Sequence, residues 1–221
     1  FIHGFNFEYA KNEDWKWISA NLNKALCIFV LSQDFKNELI RRGIKSDIHL
    51  TSTKVPDYFI SGFDLSMRQG KAENIMYSGR IEKAKGVYET VDTFSILKSQ
   101  YKDLTLTFVG DGSELPMLKQ YVENKKIKDV RFTGRLCGED FKKEYINADM
   151  YLFLSYTEGM PTVVLEAMIF GLPIFTRKVG GLIDFFENGK MGYISSSLDP
   201  AVFAEAMKPY IENPAKMRSV S

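Results

Sequence analysis

The stretch DMYLFLSYTEGMPTVVLEAMIFGLPIFT, residues 149–176, predicts the fold because its hydrophobic pattern changes twice. Residues 149–155 form an apolar run of strand length, and residues 172–176 form a second one. Between the two runs, Val164, Leu165, Met168 and Ile169 recur at helical spacing and predict a buried stripe. An apolar strand, a helix and another apolar strand are typical of a parallel sheet that is covered on both faces.

The alternation of strands and helices extends over the chain from residue 73 onward. The expected helices include 86–100 and 113–125, where apolar residues recur every three or four positions. We therefore expect an α/β fold with a Rossmann-like, doubly wound parallel sheet and sites at the carboxyl ends of its strands. The expected strands are 74–79, 104–110, 129–134, 149–155, 172–176 and 192–195.

The first fifty residues have their own strand and helix pattern. Ser32 is a candidate N-cap and Gly43 a candidate helix stop. Residues 52–72 lack periodicity and contain Pro56, Gly62 and Gly70, so they are predicted to be a linker. The expected elements are helices at 13–24 and 33–43, and strands at 25–32 and 47–51.

The composition excludes several classes of protein. Hydrophobic residues make up 45% and charged residues 26%, which is typical of a soluble globular protein. The formal net charge of +1 gives no global attraction for nucleic acid or an anionic membrane. Two cysteines, Cys27 and Cys137, make a disulfide framework unexpected and favour the cytoplasm. The two histidines, His3 and His49, are too few for a histidine metal cluster, and no apolar run is long enough to span a membrane.

The loop SGRIEKAKG, residues 78–86, is a candidate anion site. Gly79 follows a strand and allows the backbone to turn tightly. Arg80 supplies a planar fork of donors and Lys85 a compact charge, and a helix is predicted to begin near Gly86. Together these groups suit a diphosphate. The alternative is a pair of solvated cations on a strand-to-helix loop.

A second loop, VGDGSEL at residues 109–115, only partly matches a dinucleotide fingerprint. The third glycine of that fingerprint is replaced by Leu115, and no acidic residue ends the next strand. We therefore reject a dehydrogenase. Gly110 and Gly112 shape a turn beside a ligand, or simply a turn.

Two glutamates flank the turn at the centre of the opening stretch. Glu158 falls just past a strand, Gly159 permits close approach of the backbone, and Pro161 suits a first helical turn. Glu166 lies about 1.5 turns into the predicted helix, off its apolar stripe. Carboxylates accept well from the hydroxyls of sugars and ribose. The alternative is two exposed glutamates around a helix start.

Taken together, these motifs resemble a known family. SGRIEKAKG, FVGDGSE, RFTGRL and SYTEGMPTVVLEAMIFGLPIFTRKVGGLIDFFENGKMGYI, in that order, are similar to retaining family-4 glycosyltransferases of the GT-B fold. The resemblance implies that residues 1–53 end an N-terminal, acceptor-side domain whose larger part lies upstream. Residues 54–72 then form an interdomain linker. Residues 73–221 form the domain that binds a nucleotide-sugar donor, truncated at its C-terminus.

The resemblance also assigns roles in binding the nucleotide. Arg80 and Lys85, beside Gly79, match the pair that binds the donor diphosphate. Glu166 matches the glutamate that holds the ribose hydroxyls. Gly134 and Arg135, in RFTGRL, match the region of the nucleobase, expected to be that of UDP or GDP.

For the donor sugar, the resemblance points to Glu158 and His3 as the catalytic candidates. Glu158 matches a residue near the sugar hydroxyls, and His3 one that approaches the anomeric centre. No protein nucleophile is implied, because retention in this family is usually explained by same-face attack assisted by the leaving phosphate. The loop whose backbone amides touch sugar and phosphate matches Gly159, Met160, Pro161 and Thr162.

The implied activity is transfer of a sugar, with retention, from a nucleoside-diphosphate sugar to a lipid-linked or glycan acceptor in bacterial polysaccharide or lipopolysaccharide assembly. No cofactor is expected, and no metal, since no D-x-D pair is present to hold a divalent ion. Nucleic acid is not an expected partner, because the net charge is only +1. A cytoplasmic location is expected, with peripheral membrane association through the upstream region. Three alternatives remain open: a GT-B nucleotide-sugar epimerase, a non-catalytic nucleotide-sugar-binding module and a purely structural Rossmann-like domain. The fragment alone is expected to bind the donor and transfer nothing.

Overall fold

A computed structural model of the chain describes residues 12–56, 59, 61–67 and 72–218. These residues divide into two units. The first unit contains the described residues up to Lys54 together with Thr157–Thr162 and Lys178–Phe186. The second contains Val55–Tyr156, Val163–Arg177 and the described residues from Glu187 onward. Each unit is described by itself.

The first unit is built on a small parallel sheet. Its core consists of Ile28, Val30, Leu39, Ile44 and Ile48, which are all buried. The Ser32 hydroxyl accepts a hydrogen bond from the Phe35 amide at 3.1 Å and caps the second helix, as predicted. Its elements in chain order are α1 (Asn12–Leu22), β1 (Cys27–Val30), α2 (Gln33–Arg41) and β2 (Asp47–Leu50), with β1 parallel to β2.

The second unit is built on a six-stranded parallel sheet, which confirms the predicted α/β fold class. Every residue of two neighbouring apolar strands, β6 and β7, is buried, as expected of a sheet covered on both faces. The strands are β3 (Asn74–Ser78), β4 (Thr105–Val109), β5 (Val130–Gly134), β6 (Met150–Phe153), β7 (Ile174–Arg177) and β8 (Gly192–Ser195). The helices are α3 (Val87–Gln100), α4 (Leu115–Asn124), α5 (Gly138–Asn147), α6 (Thr162–Ile169), α7 (Pro200–Glu212) and α8 (Pro214–Arg218).

The strand order is β5-β4-β3-β6-β7-β8. The chain runs outward from β3 to β5, returns to place β6 beside β3, and then runs outward in the other direction. The order therefore reverses between β3 and β6. In open α/β sheets, ligands bind outside the carboxyl ends of the strands at such a switch point.

The predicted stripe of α6 needs correction. Val164 is buried as expected, but Ile169 is 36% exposed. The buried positions are Val164, Ala167 and Phe170, which are three residues apart. The helix therefore turns a face centred on Ala167 toward the core, and Ile169 lies off that face. The helix also begins at Thr162, one residue after Pro161.

None of the helices within the described ranges combines the length and the hydropathy that crossing a bilayer requires. The predicted peripheral membrane association stays a prediction.

Candidate functional site

The loop that follows β3 is joined to the loop that follows β4. The Ile81 amide donates to the Asp111 carbonyl at 2.9 Å. A Cβ on Gly110 would lie 1.8 Å from the Gly79 carbonyl oxygen, and a Cβ on Gly112 would lie 2.3 Å from that of Ile81. Any side chain at either position would clash with this backbone. The two glycines of VGDGSEL therefore serve the close approach of two loops at the carboxyl edge of the sheet.

Arg80 and Lys85 lie on the loop after β3. The Tyr77 hydroxyl donates to the Arg80 carbonyl at 2.8 Å, so the backbone of Arg80 is held from the buried side. Its side chain is 71% exposed and donates through Nη1 to Glu82 at 2.9 Å. Lys85 is half-buried and ends a 3₁₀ turn, Lys83–Lys85. An exposed ion pair such as Arg80–Glu82 contributes little to stability, so an arriving anion can replace Glu82 at low cost.

Gly86 marks the start of α3 and the meeting of two loops. It has a φ of +67°, and a Cβ there would lie 1.9 Å from the carbonyl oxygen of Leu154, just after β6. The Tyr156 amide donates to the Ala84 carbonyl at 3.0 Å. The loops that follow β3 and β6 are therefore in contact at the switch point. Because glycine carries no side chain, Gly86 leaves the first amides of α3 uncapped, and such amides attract anions.

Glu166 is half-buried on α6. The Tyr145 hydroxyl, from α5, donates to its Oε2 at 2.8 Å. Burial raises the pKa of Glu166, and the hydrogen bond from Tyr145 opposes that rise. The carboxylate is thus held by a neutral donor, and none of the ion pairs among the described residues includes it.

Three buried hydroxyl residues continue inward from Glu166. The Tyr145 hydroxyl lies 2.7 Å from Ser78 Oγ, which lies 2.8 Å from the Tyr151 hydroxyl. All three side chains are fully buried. Burial raises the pKa of both tyrosines, so both hydroxyls are neutral donors. Sequence reasoning missed these residues, because nothing in local spacing links Ser78 on β3 to a helix 67 positions later.

RFTGRL follows β5 at the same carboxyl edge. The Gly110 amide donates to the Gly134 carbonyl at 2.9 Å, which places this loop beside the one after β4. Gly134 has a φ of +75°, and a Cβ there would meet no atom within 4 Å. Arg135 is exposed. The nucleobase role of Gly134 and Arg135 stays a prediction.

After Tyr156, residues Thr157–Thr162 belong to the first unit. The Gly181 amide donates to the Gly159 carbonyl at 2.7 Å, and a Cβ on Gly180 would lie 2.2 Å from that same oxygen. The Asp184 carboxylate accepts from the Gln33 amide at 2.8 Å and thereby satisfies one of the first amides of α2. The pair Gly180–Gly181 therefore holds the backbone of the loop in place.

The predicted site residues thus fall into both units, and His3 lies outside the described residues. The first unit contains Glu158, Gly159, Met160, Pro161 and Thr162. The second contains Gly79, Arg80, Lys85, Gly134, Arg135 and Glu166.

Residues 66–221 match the family model described as glycosyl transferases group 1. The chain is 30% identical over 149 residues to glycogen synthase of Mycobacterium tuberculosis. The matched region is 67% of this chain and 36% of that protein. It is 30% identical over 147 residues to the capsular polysaccharide biosynthesis glycosyltransferase CapM of Staphylococcus aureus. That match covers 63% of this chain and 37% of CapM. The chain therefore spans about a third of the length of these relatives.

Solved structures of glycosyltransferases share the fold. A variant of S. aureus TarM, in complex with fondaparinux, alpha-GlcNAc-glycerol and UDP, superposes with a TM-score of 0.81 at 18% identity. That match covers 99% of this chain and 44% of the TarM chain. HepE from Anabaena, in complex with UDP and glucose, gives a TM-score of 0.79 at 19% identity, covering 97% and 61%. The six-stranded parallel sheet is the Rossmann-like sheet of GT-B glycosyltransferases.

Proposed function

The chain belongs to the glycosyl transferases group 1 family, and on that premise we propose that it is the donor-binding portion of a glycosyltransferase. The donor is a nucleoside-diphosphate sugar, and the acceptor a glycan or a lipid-linked sugar in bacterial polysaccharide or lipopolysaccharide assembly. The relatives named above include a capsular polysaccharide enzyme, which supports that setting. The UDP in the TarM and HepE complexes supports a uridine donor here.

One observation carries the proposal. The hydrogen bonds from Ser78 to Tyr145 and from Tyr145 to Glu166 join the end of β3 to a carboxylate on α6. The residues that directly follow Ser78 are Gly79 and Arg80, the proposed diphosphate side. Cationic and carboxylate groups thus flank one switch point, as a ligand with both a diphosphate and a ribose requires.

In the reaction, the acceptor hydroxyl oxygen forms a bond to the anomeric carbon, and the bond from that carbon to the diphosphate oxygen breaks. The electron pair of the broken bond stays on the leaving oxygen, and the hydroxyl proton passes to the leaving diphosphate. Arg80 and Lys85 stabilise the charge that develops there, together with the uncapped amides at the start of α3. Glu166 holds the ribose hydroxyls and so positions the nucleotide. Arg80 and Lys85 are cations and the amides are neutral donors, so the chain's own residues compensate the charge of the leaving diphosphate.

The first-unit residues complete the proposal for the sugar. Glu158 accepts from the donor sugar hydroxyls, and the backbone amides of the loop that follows it contact sugar and phosphate. His3 approaches the anomeric centre. In the second unit, Gly134 and Arg135 contact the base. Retention follows from attack on the same face as the leaving diphosphate, with no covalent bond to Glu158.

Calorimetric titration of the chain with UDP and with GDP tests the site. We expect Arg80→Ala and Glu166→Ala each to weaken binding of the preferred nucleotide about tenfold, the loss of one charge-assisted contact of ~1.4 kcal/mol. Arg41→Ala is the matched control, since Arg41 is equally exposed and is also paired with a neighbouring glutamate, Glu38. Unchanged binding in both site variants overturns the assignment.

Retention is tested on the full-length protein. The glycoside that it forms from a nucleotide sugar and an acceptor is examined by NMR, and the anomeric coupling constant is compared with that of the donor. The same configuration in donor and product is expected. Inversion contradicts the proposed stereochemistry.

A further inference from the structure

A chain of buried hydroxyls links the core of the second unit to Glu166. It runs from Tyr151 on β6 through Ser78 at the end of β3 to Tyr145 on α5, with oxygen separations of 2.8 and 2.7 Å. Its last step, from Tyr145 to Glu166 Oε2, is 2.8 Å. Three different elements therefore contribute to the position of one carboxylate.

Elementary hydrogen-bond chemistry gives this series of hydroxyls a direction. An ionised carboxylate only accepts, and it lies 2.8 Å from the Tyr145 hydroxyl, whereas the Val163 carbonyl lies at 3.3 Å, so the single Tyr145 proton is assigned to Glu166. The Tyr145 oxygen is then left to accept from Ser78, and Ser78 Oγ accepts in turn from Tyr151. The Tyr151 hydroxyl also lies 3.1 Å from the Ser78 carbonyl, a second acceptor on the same residue. Tyr145 and Ser78 therefore each donate one hydrogen bond and accept one, Tyr151 donates to Ser78, and removing one of these hydroxyls leaves its neighbour short of a partner.

Packing fixes the ring that carries the terminal donor. The Tyr145 ring is stacked on Phe170 at 5.3 Å between centroids, with 10° between the planes. Phe141 and Phe59 approach it edge-on at 5.1 and 5.7 Å. Because the ring is enclosed in this way, its hydroxyl has one available position.

We infer that Tyr145 is a positioning residue of the donor site, and that its Ser78-bound hydroxyl orients the Glu166 carboxylate toward the two ribose hydroxyls. The inference rests on the ribose-binding role proposed for Glu166. Tyr145 occupies Oε2, whereas Oε1 accepts no hydrogen bond from any residue that the structure describes. The carboxylate thus keeps acceptor sites for a ligand diol while one oxygen is held.

Ionisation supports the same role. Burial raises the pKa of Glu166, and the hydrogen bond from Tyr145 lowers it. Tyr151 is connected to Glu166 through Ser78 and Tyr145. Loss of the Tyr145 hydroxyl therefore raises the pKa of Glu166 further and reduces the fraction of carboxylate that can accept from ribose.

The decisive variant is Tyr145→Phe, which keeps the packed ring and removes the hydroxyl. Its affinity is measured by calorimetry for UDP and GDP and for their 2′,3′-dideoxy counterparts. We expect the Kd of the preferred ribonucleotide to rise about fivefold, the loss of one hydrogen bond of ~1 kcal/mol. Binding of the dideoxy nucleotide is expected to change less than twofold. Ser78→Ala is expected to act in the same direction with a smaller effect.

Tyr121→Phe is the matched control, since it removes another tyrosine-to-carboxylate hydrogen bond, from Tyr121 to Asp92 at 2.9 Å, on helices that do not carry Glu166. We expect it to bind both nucleotides as the wild type does. If Tyr145→Phe keeps the full preference for ribose, or weakens both nucleotides equally, the positioning role is overturned.

A second readout separates this inference from the proposed function. Carbon-13 NMR titration follows the Glu166 carboxyl in the unliganded chain, and its midpoint is expected at higher pH in Tyr145→Phe than in the wild type. An unchanged midpoint overturns the inference. A wild type that binds ribo and dideoxy nucleotides equally overturns the ribose role of Glu166 itself, and in that case the titration still decides whether Tyr145 controls the carboxylate.

Discussion

At the scale of single residues, the two glutamates around the Gly-Met-Pro turn have different surroundings. Glu166 is half-buried and accepts from a fully buried tyrosine. Glu158 belongs to the first unit, next to Gly159, whose carbonyl is bonded by Gly181. The two carboxylates, eight positions apart, therefore belong to different units, and that of Glu166 is held by a hydroxyl on α5.

Burial of the Glu166 carboxylate gives a prediction about stability. Burial raises its folded-state pKa above the ordinary value of a glutamate. The unfolded chain therefore loses this proton first, and the contribution of Glu166 to the free energy of unfolding falls as pH rises from about 4.5 through the folded pKa. Glu166→Gln has no proton to lose. We expect it to raise Tm by about 2 °C at pH 7, which is ~0.5–1 kcal/mol for a chain of this size.

Differential scanning fluorimetry at pH 4 and pH 7 measures this effect without ligand. At pH 4 the wild-type carboxyl is protonated and neutral, so the two proteins are expected to unfold at nearly the same temperature. A Tm of Glu166→Gln below that of the wild type at pH 7 contradicts the prediction, since the ionised carboxylate is then a net stabiliser.

At the scale of secondary-structure elements, the segment before β3 packs on α5 and on the residue after α6. Phe59 is 9% exposed, and its ring contacts Phe141, Tyr145 and Phe170 at centroid distances of 5.3–5.7 Å. Lys142 Nζ donates to the Ser61 carbonyl. Part of the predicted linker is therefore attached to the second unit by an aromatic cluster that includes the positioning tyrosine.

Shortening the Phe59 side chain is expected to destabilise the second unit. Phe59→Ala removes a nearly buried ring and is expected to lower the free energy of unfolding by about 3 kcal/mol, while Phe59→Leu costs about 1 kcal/mol. Urea denaturation monitored by circular dichroism measures both. Leu65→Ala is the control in the same segment, since Leu65 is 48% exposed and its truncation is expected to cost under ~0.5 kcal/mol. Equal losses in Phe59→Ala and Leu65→Ala would disprove the role of the cluster.

At the scale of the whole molecule, charge is balanced. The chain carries 29 lysines and arginines against 28 aspartates and glutamates, for a formal net charge of +1. Long-range attraction for a nucleoside diphosphate is therefore negligible, and any electrostatic contribution to binding must come from cations at the site itself.

This balance predicts where the salt dependence of nucleotide binding arises. From 50 to 500 mM NaCl the Debye length falls from about 14 to about 4 Å, so the contribution of exposed Arg80 is screened. We expect the wild-type Kd for the preferred nucleoside diphosphate to rise about fivefold, and that of Arg80→Gln about twofold. Calorimetry at both salt concentrations measures the difference, and Arg41→Gln is expected to follow the wild type. An equal salt effect in Arg80→Gln and the wild type refutes a contact between Arg80 and the diphosphate.

The sequence by itself determined the order and type of the elements, because hydrophobic period, caps and glycine turns depend on residues only a few positions apart. The apolar runs at β6 and β7, the cap at Ser32 and the loops after β3 and β4 all follow from such local patterns. Family motifs further placed Arg80 and Lys85 on the loop after β3 and Glu166 on the helix after β6.

Only the tertiary structure decided what holds Glu166. Ser78 and Tyr145 are 67 positions apart, and Tyr145 and Glu166 are 21 apart, so their hydrogen bonds depend on strand order and on how each helix is rotated against the sheet. The same rotation buries Val164, Ala167 and Phe170 and leaves Ile169 exposed. A periodic pattern predicts that a helix has a buried face, but packing against its neighbours decides which residues occupy the centre of that face.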